Sequence, residues 1–132
     1  MKKLVAILLV VIVSAGCATR DEQARNNISN NWRISKVFQN GTDVTESYLD
    51  TRADYRIKFN SSGSFEENYS PFSGATVENI FGTWVFSDGI NKVTLTDNNQ
   101  TRVYQIEELD KTVLNIKDLG STNNREIQFV PA

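Results

Sequence analysis

From Trp32 to the C-terminus, large apolar residues recur at every second position in eight short runs, and turn residues fill most of the gaps between them. The runs are Trp32-Ile34-(Lys36)-Phe38, Tyr55-Ile57-Phe59, Phe65-(Glu67)-Tyr69, Trp84-Phe86, Val93-Leu95, Tyr104-Ile106, Leu114-Ile116 and Ile127-Phe129. Side chains that alternate in this way line one face of a strand, and no comparable stretch shows the helical period. Asn40-Gly41, Ser62-Gly63 and Asp88-Gly89 supply the positive backbone angles of tight hairpins. An all-β chain of this kind is expected to form an eight-stranded antiparallel up-and-down β-barrel, since closing the sheet removes its edges. The competing architecture is a β-sandwich, whose Greek-key crossovers need longer connections than most of these.

The first residues carry a different message. After Lys2-Lys3, residues 4 to 13 are apolar, and the small residues Ser14, Ala15 and Gly16 lead to Cys17, the single cysteine of the chain. A basic start, a short apolar run and small residues at its exit make a secretory signal, and ten residues are too few to cross ~30 Å of hydrocarbon as a helix. Ser14-Ala15-Gly16-Cys17 resembles the lipobox of bacterial lipoproteins, which implies a diacylglyceryl group on the Cys17 thiol, a further acyl chain such as palmitate, and cleavage before Cys17. Ordinary cleavage after Gly16 is the alternative; it would leave a free thiol in an oxidising compartment. More than one acyl chain makes anchoring stable. The expected organisation is a signal peptide over 1–16, a lipidated cysteine and flexible tether over 17–30, with room for a short helix of little consequence, and a barrel domain over 31–132. The implied location is the cell envelope, as an outer-membrane lipoprotein facing the periplasm or the cell surface. No Asp follows Cys17, so retention in the inner membrane is not indicated. Arg20-Asp21-Glu22 resembles a surface-export signal; a solvated linker explains the same charges.

Residues 17–132 hold 12 basic and 16 acidic residues, with Lys and Arg scattered singly. Nucleic acid is not an expected partner, because phosphate binding needs a basic stripe. One domain of 116 residues can bury roughly two-thirds of its unfolded surface. The chain has no histidine, which removes the Ser-His-Asp triad, imidazole bases and histidine-bearing zinc sites. Phosphate-cradling glycine loops are missing as well. Glu66-Glu67 and Glu107-Glu108 are adjacent pairs, and neighbours on a strand point to opposite faces. No enzyme activity, cofactor or metal is expected.

The order and spacing of "FQNGTDVT", "YRIKFNSSGSF", "GTWVFSDGINKVTLT" and "YQIEELDKTVLNI" after an opening Trp resemble the lipocalin-like domain of small Bacteroidota lipoproteins, over about residues 30 to 130. The resemblance implies an eight-stranded barrel. Lipocalins also carry small apolar ligands, with a Gly-x-Trp motif on the first strand and an Arg near the end of the last. This chain reads Asn30-Asn31-Trp32, and its Arg125 lies at the start of the last strand.

Within the barrel, the alternation directs Lys36, Glu67 and Glu108 inward, and a charge there needs a partner or a wet mouth. Lys36, Tyr55, Glu67, Tyr69, Trp84 and Tyr104 are the candidate ligand contacts, and Trp32, Phe59, Phe86 and Phe129 the candidate core. The long loops 42–53 and 70–81 fall at one end and are expected to cover one mouth, the first with a helical turn capped by Thr45 and with Tyr48 and Leu49 turned inward. Ten aromatic residues on inward positions would crowd a small barrel, so a small cavity or none is expected. Two function classes follow: a carrier of a small apolar or amphipathic ligand at the mouth, or a filled barrel whose loops contact an envelope protein. On the lipid question, cells fed an alkyne-tagged fatty acid should label the chain at Cys17. Cys17→Ser should abolish the label, and an unlabelled wild type would establish ordinary cleavage.

Overall fold

The computed structural model describes residues 19–132; the signal peptide and Cys17 lie outside them. In chain order the elements are α1 (Arg20–Ile28), β1 (Asn31–Gln39), β2 (Thr42–Asp43), α2 (Thr45–Asp50), β3 (Ala53–Phe59), β4 (Ser64–Ser70), β5 (Glu78–Ser87), β6 (Lys92–Thr96), β7 (Thr101–Leu109), β8 (Leu114–Asp118) and β9 (Glu126–Pro131). Neighbouring strands pair antiparallel, and β9 returns to β1 from Trp32↔Pro131 to Phe38↔Glu126. Eight strands thus close the barrel, while the two-residue β2 only extends the end of β1. Asn40-Gly41 and Asp88-Gly89 both take positive φ at both residues, as their hairpins require.

Period two fails where the ladder carries a bulge. The β1–β9 register shifts between Ile34 and Lys36, and the β7–β8 register between Ile106 and Glu108. One extra residue reverses the faces of everything after it. Lys36 is therefore outside, 3.4 Å from Asp43, and not on the cavity wall. Val37 takes the fully buried position, and Phe38 leaves the core with it. Glu108 likewise faces solvent and accepts a hydrogen bond from Asn115.

The expected flexible tether is, from Thr19 onward, an ordered element. Thr19 accepts the amide of Glu22 at 3.2 Å, and Asp21 and Glu22 occupy the first turn, where the helix dipole favours acids. The helix α1 buries Ala24 and Ile28 against the barrel base, and Trp32 Nε1 donates to the Ile28 carbonyl at 2.9 Å. Arg25 stacks 4.8 Å from the Trp84 ring and donates to the Ser61 carbonyl in a hairpin of the same end. A single large apolar residue, Ile28, gives the segment no helical stripe to find in the sequence.

The aromatic residues gather above this helix. Phe59 and Phe86 meet the Trp84 ring edge-on at 5.7 and 5.1 Å, and Trp84 Nε1 donates to the Asn60 carbonyl. Trp32 and Phe65 are fully buried nearby, and Phe65 lies so close to β5 that a Cβ on Gly82 would come within 2.6 Å of its ring and collide with the Thr96 carbonyl.

Strand β1 pairs with β3 only at this base end, through Asn31, Trp32 and Arg33. Higher up, the Val37 amide donates to Thr45 Oγ1 and the Val37 carbonyl accepts from the Val44 amide, both at 2.9 Å. Thr45 is thus the first helical residue and a bridge to β1, with Val44 at the cap position. Tyr48 and Leu49 of α2 pack on the core, as their spacing suggested. The other long loop is shorter than expected, because β5 begins at Glu78 and carries Phe81 on its outer face, 62% exposed.

Ile28→Ala should lower unfolding free energy by about 2–4 kcal/mol, since it opens a cavity at a fully buried site. Lys36→Ala, which breaks one exposed ion pair, should cost less than about 1 kcal/mol. Chemical denaturation of both variants distinguishes a structural base from a dispensable tether.

Candidate functional site

A cavity of about 660 Å³ occupies the barrel above the aromatic base and opens between α2, the 97–100 turn and the β8–β9 loop. The expectation of little or no cavity is overturned. Phe38 has left the interior at the β1 bulge, Trp32, Trp84 and Phe86 are spent on the base, and aliphatic Ile57, Val93, Leu95, Leu114, Ile116 and Ile127 form much of the middle wall. Phe59 and Phe129 reach the lining from below.

Polar groups occupy the upper wall. Glu67, between Phe65 and Tyr69 on β4, points inward as alternation requires and is 3% exposed. The Tyr55 hydroxyl donates to Glu67 Oε2, and Arg102 Nη1 lies 3.1 Å from the same oxygen. Arg102 also donates to the Tyr104 hydroxyl at 3.5 Å and lies 5.7 Å over the Phe65 ring. Behind it, Asp97 Oδ2 is 3.6 Å from Arg102 Nη2, while Asp97 Oδ1 accepts the Asn99 and Gln100 amides of its own turn. A carboxylate buried in an apolar barrel is tolerable because a cation and a hydroxyl meet it.

These surroundings fix protonation. Burial, and then the adjacent Glu67 carboxylate, hold the Tyr55 hydroxyl well above its usual range. Burial pushes Tyr104 up to about 12, the Arg102 cation pulling the other way. For Arg102, burial opposes the charge, but Tyr104 and Glu67 outweigh it and keep the guanidinium protonated. Both tyrosines therefore act as neutral donors and acceptors, and Arg102 as a fixed cation.

The rim carries Tyr48, Arg52, Asp118 and Arg125. Arg52 and Arg125 both stack on the Tyr48 ring, at 4.2 and 5.3 Å, and Arg125 Nη1 lies 3.5 Å from Asp118. Burial raises the Tyr48 hydroxyl in turn.

Of the six candidate ligand contacts, the fold brings Tyr55, Glu67, Tyr69 and Tyr104 to the cavity wall, with Tyr55 and Tyr69 stacked at 6.2 Å. Lys36 is outside the barrel, and Trp84 belongs to the base. Trp32, Phe59 and Phe129 are buried in the core, and Phe86 packs against it half-buried. Sequence reasoning missed three arginines. Arg102 was within reach, for it shares the phase of Tyr104 and Ile106; Arg52 and Arg125 lie in loops, where alternation says nothing. The 70–81 segment does not cover the mouth: only Ile80, on β5, touches the cavity from it, beside Tyr69 of β4.

The sequence matches the family described as "lipocalin-like domain" over residues 28–116. Among solved structures, a lipocalin-like protein from Bacteroides uniformis ATCC 8492 aligns with a TM-score of 0.61 at 12% identity, over 80% of this chain and 99% of that one. A duf4847 family protein from Bacteroides vulgatus ATCC 8482 aligns with a TM-score of 0.54 at 16% identity, over 79% of this chain and 93% of that one. At these identities the likeness is one of fold. No curated protein matches the sequence.

The raised tyrosines make stability pH-dependent on the alkaline side only. Above about pH 10 the unfolded chain ionises its tyrosines while the native chain keeps Tyr55 and Tyr104 protonated, so the native state binds more protons and stability falls as pH rises. Unfolding free energy should be lost from about pH 10 upward. The slope should be shallower in Tyr104→Phe, and tyrosinate absorbance should place Tyr104 near 12 in the folded protein.

Proposed function

The chain belongs to the lipocalin-like domain family, and from that premise we propose that it is a binding protein whose barrel takes up one small amphipathic molecule, its apolar part toward the aromatic base and its polar part at the mouth. The observation that carries this reading is the division of the cavity into an aliphatic lower wall and an upper wall of Tyr55, Glu67, Arg102 and Tyr104. A volume of about 660 Å³ lies within the range of ligand pockets, roughly 300–1,000 Å³. An apolar tail in the lower part would gain roughly 25 cal/mol per Å² removed from water, and the upper groups would hold its head by hydrogen bonds.

The proposed activity is binding and not catalysis. Glu67 and Arg102 neutralise each other, Tyr55 and Tyr104 are held protonated, and a chain without histidine offers no imidazole base. We also propose that Cys17 is lipidated and holds the domain at the cell envelope. No helix among the described residues is long and apolar enough to cross a membrane.

A second reading, contact with an envelope protein, draws support from Phe72 and Phe81, 64% and 62% exposed on the outside of the barrel. The two readings part on one experiment. Ile116→Trp should fill the cavity from its middle and weaken binding of a solvatochromic fatty-acid probe at least about tenfold, with the barrel retained by circular dichroism. Filling an existing void avoids most of the overpacking cost of a dense core. Undiminished probe binding in Ile116→Trp would place the probe on the outer surface and remove the carrier reading; Phe72→Ser with Phe81→Ser should leave probe binding intact.

A further inference from the structure

Three guanidinium groups, Arg52, Arg102 and Arg125, line the cavity, with two carboxylates, Glu67 and Asp118, on its wall and a third, Asp97, 3.6 Å behind Arg102. Each carboxylate already has its cation: Arg102 stands 3.1 Å from Glu67, and Arg125 3.5 Å from Asp118. Arg52 has no carboxylate within ion-pair distance among the described residues and donates to the neighbouring Thr51 hydroxyl. Donors are left over as well, since Arg102 Nε and Arg125 Nε are buried without a hydrogen-bond partner, whereas Arg102 Nη2 faces Asp97 Oδ2 at 3.6 Å. Finally, Tyr48 gathers Arg52 and Arg125 on one ring, so two like charges stand together at the rim.

A buried donor without an acceptor is costly, and two neighbouring guanidinium groups repel. An anion at the mouth would relieve both, and the guanidinium fork matches the oxygens of a carboxylate or a phosphate ester. A cationic head would meet Arg52 and Arg125 as a repulsion, and a neutral head would leave Arg52 without a counter-charge. Resting on the binding reading above, we propose that the ligand is an anionic amphiphile: a single apolar tail in the aliphatic lower cavity and a carboxylate or phosphate-ester head received by Arg52 and Arg125. Tyr48, held by both arginines, orients them and so acts as a positioning residue.

Head-group chemistry can be tested with the tail held constant. The full chain would be titrated by calorimetry at about pH 8, where carboxylates are ionised, with dodecanoate, dodecyl phosphate, dodecanol and dodecyltrimethylammonium, each below its micellar concentration. Expected are at least about tenfold tighter binding of dodecanoate or dodecyl phosphate than of dodecanol, and the weakest binding for the ammonium compound. The tighter of the two anions assigns the head. In the Arg52→Gln, Arg125→Gln double variant, the anions should fall to the affinity that dodecanol shows for that same variant, and in Tyr48→Leu the anion advantage should shrink. Equal affinity for dodecanoate and dodecanol in the wild type, or an anion advantage that survives the double variant, overturns the proposal while leaving an amphiphile carrier. No binding of any of the four removes the carrier reading and this one with it.

Discussion

A carboxylate cannot stand alone in an oily barrel, and Glu67 governs much of this molecule for that reason. Its hydrogen-bond donor Tyr55 comes from the neighbouring strand β3, but its cation, Arg102, comes from β7, three strands further round. The ion pair therefore crosses the lumen. Removing Arg102 would leave the buried Glu67 carboxylate uncompensated, at a cost of about 3–5 kcal/mol, whereas removing Glu67 would leave Arg102 with Asp97 3.6 Å away; the pair is a strut across the lumen. Beneath it the barrel is closed and aromatic; above it the wall is polar. The open space is what remains between a base packed to density and a strut that crosses above it.

The strands and hairpins were legible because their signals are local. Alternation needs only a few residues, and Asn40-Gly41 and Asp88-Gly89 declare their backbone angles by themselves. Bulges are not local in that sense. Nothing in Ile34-Ser35-Lys36 announces the extra residue, yet it moves Lys36 out and Val37 in, and the same event on β7 sends Glu108 to solvent. The inward aromatic set was overcounted by the same error at Phe38. The weight of the helix α1 was illegible for another reason: it lies in one side chain, Ile28, and in a backbone carbonyl offered to Trp32, neither of which makes a pattern.

The cavity end followed a third logic. Tyr55, Glu67, Tyr69 and Tyr104 could be placed from period alone, before any partner was known. Their electrostatic meaning could not, because Arg102 reaches Glu67 and Tyr104 from a distant strand, and Arg52 and Arg125 meet on Tyr48 from loops. Physical neighbours separated by 35 residues, such as Glu67 and Arg102, share no sequence signature. The fold is written in short repeats, whereas the chemistry of its interior is written in long-range pairs.

One end of the barrel is covered by α1, whose Ile28 carbonyl meets Trp32, while the cavity opens at the other. The described residues thus form a bowl with their N-terminal helix at its foot. If, as proposed, Cys17 is fastened to a bilayer on that side, the bowl opens away from the lipid surface and toward the surrounding fluid. Cargo would be exchanged with whatever approaches from outside, and material resting in the bilayer below would face the sealed underside. On the proposal that Cys17 is lipidated, such a vessel would be oriented by its attachment to receive from, or deliver to, a second body across the gap.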